Sequence, residues 1–223
     1  MKFALVLVVC STLVVAAPTW NDKQSWKDES RHHWEEKHKE WNDDHADWTG
    51  DHKSEHKDIH AAFPFEFTSI LKAYAGPDQV VNNSQVAVPG LEKGFGMFQF
   101  GLNSHEDVIC YNISVYIKGN YSSPAVTATH IHQAPKGRAG PPRIAFPNPQ
   151  PHGNTSLDEY AWRYSLGCLQ GPFKTGIVNN GTDTGAGFTV KDLEDTPWEF
   201  FADTHTADFP AGAIRGQIYG YNP

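Results

Sequence analysis

Histidine dominates the residues of this chain that can do chemistry. His130 and His132 are separated by one residue within a β-prone run spanning 125–132. Strand side chains alternate faces with a period of two, so Val126, Ala128, His130 and His132 are expected on one face. Two imidazoles set that way can grip one divalent metal ion, and a third histidine from a distant strand would complete the site. Imidazole suits copper, zinc and nickel, and affinity order alone favours copper(II).

A second set of histidines lies near the N-terminus. Residues 18–60 carry seven of the twelve histidines, His32, His33, His38, His45, His52, His56 and His60. Trp34, Trp41 and Trp48 recur every seven residues, and His38, His45 and His52 do the same. On a helix, His38, Trp41, His45, Trp48 and His52 would form one seam. His52, His56 and His60 have the i, i+4, i+8 spacing that lets neighbouring imidazoles share an ion. Three forms of this tail remain open: a disordered chain, an amphipathic helix docked through its tryptophans, and a helix ordered by metal. Gly50 interrupts the pattern at a helical cost of about 1 kcal/mol relative to Ala. In each form the histidine density itself favours metal binding. His52-Lys53-Ser54-Glu55-His56 fits the His-x-x-Glu-His pattern of some zinc peptidases, but in a segment this rich in His and Glu a chance match is expected.

The remaining candidates concern export. Lys2 followed by an apolar run over 3–15 and the small residues Ala16 and Ala17 reads as a signal peptide over 1–17. That run is shorter than the roughly 20 residues a membrane span needs, and no later stretch qualifies. Removal of Cys10 with the signal leaves Cys110 and Cys168, an even pair expected to form a disulfide in an oxidising compartment. Five Asn-x-Ser/Thr sequons, at Asn82, Asn112, Asn120, Asn154 and Asn180, predict a glycosylated surface. Asn112 falls in a predicted strand and needs an outward position. Together these features predict a secreted protein, extracellular or associated with a cell wall.

The formal charge of −8 argues against a nucleic-acid partner, since phosphate binding needs a basic face. Residues 18–60 hold seven Lys/Arg against twelve Asp/Glu, so much of the acidity sits in the tail.

The elements that must position the histidines are strands. Ile109, Tyr111, Ile113, Val115 and Ile117 form the cleanest alternation in the chain, and Phe63, Phe65 and Phe67 alternate as well. Gly and Pro clusters at Gly76-Pro77, Pro89-Gly90, Gly140-Pro141-Pro142 and Asn179-Asn180-Gly181 separate the runs. Residues 61–223 therefore read as one all-β domain, a sandwich or barrel, with 156–169 ambiguous between strand and a helical turn or two. Trp198-Glu199-Phe200-Phe201 is expected to supply core, and Gly94-Phe95-Gly96 to relieve a crowded backbone.

The run from His130 to Pro142, followed by Asp203-Thr204-His205-Thr206 and Pro210-Ala211-Gly212-Ala213-Ile214-Arg215-Gly216-Gln217, resembles the CHRD (chordin) domain, in particular its versions in fungal secreted proteins. The resemblance extends from about Phe65 to the C-terminus. It implies a Greek-key β-sandwich, immunoglobulin-like or superoxide-dismutase-like in build, and exposure outside the cell. It is also what places His205 beside His130 and His132. Asp203 is then the natural acceptor behind an imidazole, orienting it, or equally a turn residue. Arg215 takes a structural part, pairing with a buried carboxylate or with carbonyls. His130-Ile131-His132 is similar, over three residues, to the metal-binding strand of copper/zinc superoxide dismutases. The expected function is transition-metal binding or sequestration. One alternative is a wall or matrix protein that binds polysaccharide or protein without metal. The other is a dismutase-like metalloenzyme, ranked last because no acid/base or redox partner for the histidines can be named.

Overall fold

A computed structural model describes residues 66–220. The expected signal peptide, the His/Trp-rich tail, and Phe63 and Phe65 lie outside those residues.

The strands that alternate best in sequence pair most extensively. β2 (Phe95–Asn103) and β3 (Val108–Ile117) run antiparallel through nine residue pairs, with Phe98 opposite Ile113 and Phe100 opposite Tyr111. The even positions of β2 and the odd positions of β3 place Phe98, Phe100, Leu102, Ile109, Ile113, Val115 and Ile117 inside, each at most 1 % exposed. Gly96 is required at this crossing, because a Cβ there would come within 2.8–2.9 Å of Ile214 and Val115. That bears out the expected backbone relief. β1 (Ser69–Ala75) extends the sheet on the β2 side, and β7 (Ala161–Gln170) extends it on the β3 side.

Segment 156–169, ambiguous in sequence, divides at Ala161. From Ala161 onward it is β7, matched to β3 over ten residue pairs. The α-helix among the described residues is α1 (Val190–Asp195), where the Thr189 N–H donates to the Asp192 carboxylate and the Val190 N–H to Asp107 Oδ1. Strand pairing won over 161–169 because β3 offers a complete ladder edge to a segment of mixed local preference.

A second sheet carries β4 (Thr129–Gln133), β5 (Pro142–Phe146), β10 (Phe200–Thr206) and β11 (Phe209–Gln217) in the order β11-β10-β4-β5. The six-stranded sheet runs β12-β1-β2-β3-β7-β6, its edges being β6 (Gln150–Pro151) and β12 (Tyr219–Gly220). The chain passes between sheets after β3, β5, β7 and β11, so β3 lies beside β7 and β4 beside β10. These are Greek-key crossovers in an all-antiparallel sandwich. The two inner faces meet in one core, where Ile131, Ile144, Phe146, Phe200, Ala202 and Ile214 of the smaller sheet pack on the larger. A small hairpin, β8 (Val178–Asn179) and β9 (Thr182–Asp183), turns at Asn180-Gly181 with φ of 49° and 81°. Two successive left-handed residues are the signature of a type I′ turn, for which Asn-Gly is the preferred pair.

Three expectations shift. β4 begins at Thr129, so Val126 stands outside it, 65 % exposed, and does not share the histidine face. Ala128 also precedes the strand, where its N–H donates to Asn148 Oδ1. Of the Trp198–Phe201 run, Phe200 is core, Trp198 is 60 % exposed, and Phe201 is buried on the opposite face of the sheet from Phe200. The expected disulfide is present: Cys110 and Cys168 face each other across β3 and β7 and are bonded, on the outer side of the larger sheet.

Candidate metal centre

The site is built on the outer face of the smaller sheet. Asp203 pairs in register with His130 on β4 and with Arg215 on β11, and Phe201 pairs with His132. Register partners share a face, so His130, His132, Phe201, Asp203 and Arg215 all project away from the core. His205 joins them by way of an irregularity. Thr204 pairs with Ile214 but Thr206 pairs with Phe209, so Pro210–Ala213 bulge away from β10 opposite His205. Gly212 takes φ of 128° within that bulge, a conformation that favours glycine. Bulges beside functional sites re-aim side chains, and this one brings the Pro210 carbonyl to His205.

The four donors converge. His130 Nδ1 and His132 Nε2 lie 3.6 and 3.3 Å from Asp203 Oδ1, and His205 Nε2 lies 3.1 Å from Asp203 Oδ2. One ligand atom from each of the four residues lies within 4.8 Å of the others. Donors about 2.0–2.1 Å from a tetrahedral ion stand roughly 3.3–3.4 Å apart, and the three nitrogen–carboxylate separations bracket that edge.

The opposite ring nitrogens are all engaged. His130 Nε2 donates to the Thr127 carbonyl at 2.7 Å, His132 Nδ1 to the Gly140 carbonyl at 2.8 Å, and His205 Nδ1 to the Pro210 carbonyl at 3.0 Å. A carbonyl can only accept, so each outer nitrogen carries the proton. In the neutral ring the inward nitrogen is then a bare lone pair. His130 Nδ1, His132 Nε2 and Asp203 Oδ1 are buried without a hydrogen-bond partner among the described residues. Lone pairs aimed at a buried carboxylate repel one another, and a cation placed among them removes the repulsion.

The electrostatics follow from that crowding. Burial opposes ionisation of Asp203, but the His132 and His205 imidazoles, with His130 beside them, outweigh it and hold the carboxyl well below its ordinary value. Burial also dominates at His130 and, despite Asp203, lowers its pKa. At His205 the burial effect is overcome by Asp203 and the Pro210 carbonyl, and the pKa is raised. Without a metal, His205 is therefore the proton partner of Asp203.

The structure thus brings together His130, His132 and His205. It places Asp203 among them rather than behind one of them; the place expected for Asp203 is filled by backbone carbonyls. Those carbonyls belong to loops, which side-chain spacing does not reveal, although the glycine at 140 is a trace of one. A Cβ at Gly140 would run into the Gln133 carbonyl, so only glycine brings that backbone close enough to hold His132. Arg215 is not in a carboxylate fork; its guanidinium carbon lies 3.5 Å from the centroid of the Phe201 ring. The tail histidines His38, His45, His52, His56 and His60 lie outside the described residues. Of the sequon asparagines, Asn112, Asn120, Asn154 and Asn180 are exposed and Asn82 is half-buried.

A comparison with protein families matches the CHRD domain over residues 77–218, a span that holds all four donors. It is narrower at both ends than the stretch from Phe65 expected from sequence. No curated protein and no solved structure matches the chain.

Proposed function

The chain belongs to the CHRD domain family, and from that premise we propose that it is a secreted, glycosylated protein that binds a transition metal, copper or zinc. His130, His132, His205 and Asp203 form the principal site, and the histidines of residues 18–60 form a second, less specific arm. The observation that carries this reading is the fixed tautomer of all three imidazoles. Each outer nitrogen is tied to a backbone carbonyl, which is how metal-binding histidines are normally oriented and made more basic. Three imidazoles and one carboxylate suit zinc or copper better than magnesium or calcium, which prefer oxygen donors. Exposed sequons and a disulfide are compatible with export. Elemental analysis of the purified full chain, alongside a His130→Ala/His132→Ala/His205→Ala variant and a chain lacking residues 18–60, tests the reading. Metal content unchanged by the triple substitution in the tail-less chain would refute the principal site.

A second reading, a wall or matrix protein that binds polysaccharide, is favoured by one observation. The outer side of the larger sheet carries a cluster of touching rings: Phe95 and Tyr116 each contact Trp162, which stacks on Tyr164. Trp162 and Tyr164 are 38 % and 39 % exposed, and such flat ring surfaces suit the apolar faces of sugars. Co-sedimentation with insoluble β-linked glucan or chitin, compared with a Trp162→Ala variant, decides this reading.

A further inference from the structure

The principal site leaves one buried group without a partner. Arg215 is 3 % exposed, and neither Nη1 nor Nη2 has a hydrogen-bond partner among the described residues. Its guanidinium lies on the Phe201 ring, and that ring stacks on His132 with centroids 4.9 Å apart and planes 7° from parallel. Arg215 is therefore one aromatic ring away from a candidate ligand, and it stands opposite Asp203 in register. The cation–π contact offsets part of the charge but offers the N–H groups no acceptor. A buried guanidinium with idle donors is costly, and an acceptor that reaches it is correspondingly favoured.

Charge balance makes the same demand. With neutral imidazoles, Asp203 and Arg215 cancel. A divalent ion held by these four donors leaves about two units of positive charge uncompensated in a buried setting. Among the described residues, Asp203 is the carboxylate in ion-pair contact with the cluster. Arg215 does not relieve the excess by losing its proton, because a guanidinium stays charged in proteins.

We infer that the centre takes its metal together with a small planar oxyanion of the carboxylate or carbonate class, held by the fork of Arg215. This deepens the metal reading and rests on it. The two terminal nitrogens of a guanidinium match two coplanar oxygens, a fit that lysine does not provide. The more open edge of the centre is at His132 and His205, whose side chains are each 12 % exposed.

The test uses the full chain with alanine at the seven tail histidines, so that the tail does not compete for metal. Cobalt(II) is titrated at constant pH with sodium formate or with sodium chloride at equal ionic strength, and followed by its visible spectrum. Formate should tighten cobalt binding about tenfold or more, the scale of one charge-assisted hydrogen-bonded pair, and should change the spectrum. In Arg215→Met, cobalt should bind more tightly than in the parent without formate, and formate should add nothing. Arg215→Lys keeps the cation, covers the case in which Arg215→Met fails to fold, and should retain only a weakened response. Cobalt bound with an affinity and spectrum indifferent to formate overturns this inference and leaves the metal reading standing. So does a formate response undiminished in both variants. Cobalt that does not bind at all overturns the metal reading and this inference with it.

Discussion

His205 Nε2 lies 3.1 Å from Asp203 Oδ2, although residues two apart on a regular strand stand roughly 6.5–7 Å from each other at their Cα atoms. At His205 the bulge frees β10 from β11, while the His205 N–H still donates to the Ala128 carbonyl, and it offers the Pro210 carbonyl to the back of the ring.

That contact sets a pH window for the metal-free protein. Asp203 is held below its ordinary value, so its stabilising contribution is present above that value and is lost as pH falls through the depressed one. His205 is raised, so its contribution is complete below the ordinary imidazole value and is lost as pH rises through the raised one. Denaturant unfolding against pH, in the presence of chelator, should show both slopes, and His205→Gln should flatten the upper one. By NMR, His205 should titrate above the ordinary imidazole value and His130 below it.

Gly140→Ala should weaken metal binding by about tenfold, the usual lower cost of disturbing a residue that orients a ligand. The new Cβ collides with the Gln133 carbonyl and displaces the Gly140 carbonyl from His132. Competition against a chelator of known affinity measures the loss; an unchanged affinity would show that this carbonyl does not orient His132.

The Cys110–Cys168 bond should contribute about 2–4 kcal/mol, because it closes a sequence separation of 58 residues. Thiol labelling of the unfolded, unreduced protein should find neither cysteine. Both cysteines face away from the core, so the Cys110→Ser/Cys168→Ser variant should keep native near-ultraviolet circular dichroism while melting earlier.

Two neighbouring positions on the paired strands β3 and β7 should respond very differently. Ile113→Ala removes a side chain at 0 % exposure and should cost about 2–5 kcal/mol. Leu166→Ala, at 79 % exposure on the outer face, should change stability by less than about 0.5 kcal/mol. Urea unfolding of both variants provides the comparison.

A peptide of residues 18–60 should bind copper or zinc near neutral pH and release it near about pH 5, as imidazoles with an ordinary pKa of about 6.5 take up protons. Protonating its seven histidines also reverses the sign of its charge, since the segment starts with twelve Asp/Glu against seven Lys/Arg. Titration calorimetry at both pH values, with circular dichroism for helix formation, reads out both effects; tight binding unchanged at the lower pH would refute imidazole ligation.

Much of the fold was legible because alternation is a local property. Ile109, Tyr111, Ile113, Val115 and Ile117 announce a strand with one buried face wherever that strand pairs, and Asn179-Asn180-Gly181 marks a break between runs, which the structure makes a hairpin. Two cysteines left after the signal likewise predict one bond. The two-residue spacing of His130 and His132 fixes their common face in the same way. Sequence did not determine which face of β4 that would be, whether His205 would meet the pair, or that Asp203 would stand among the rings. Those depend on the register of β10 between β4 and β11, and on a bulge whose geometry comes from long-range pairing. The β-strand over 161–170 and the outward burial of Phe201 have the same origin: each was settled by the neighbour across the ladder. The carbonyls of Thr127, Gly140 and Pro210 are the furthest from sequence, because every residue has a carbonyl and only the folded loops decide where it points.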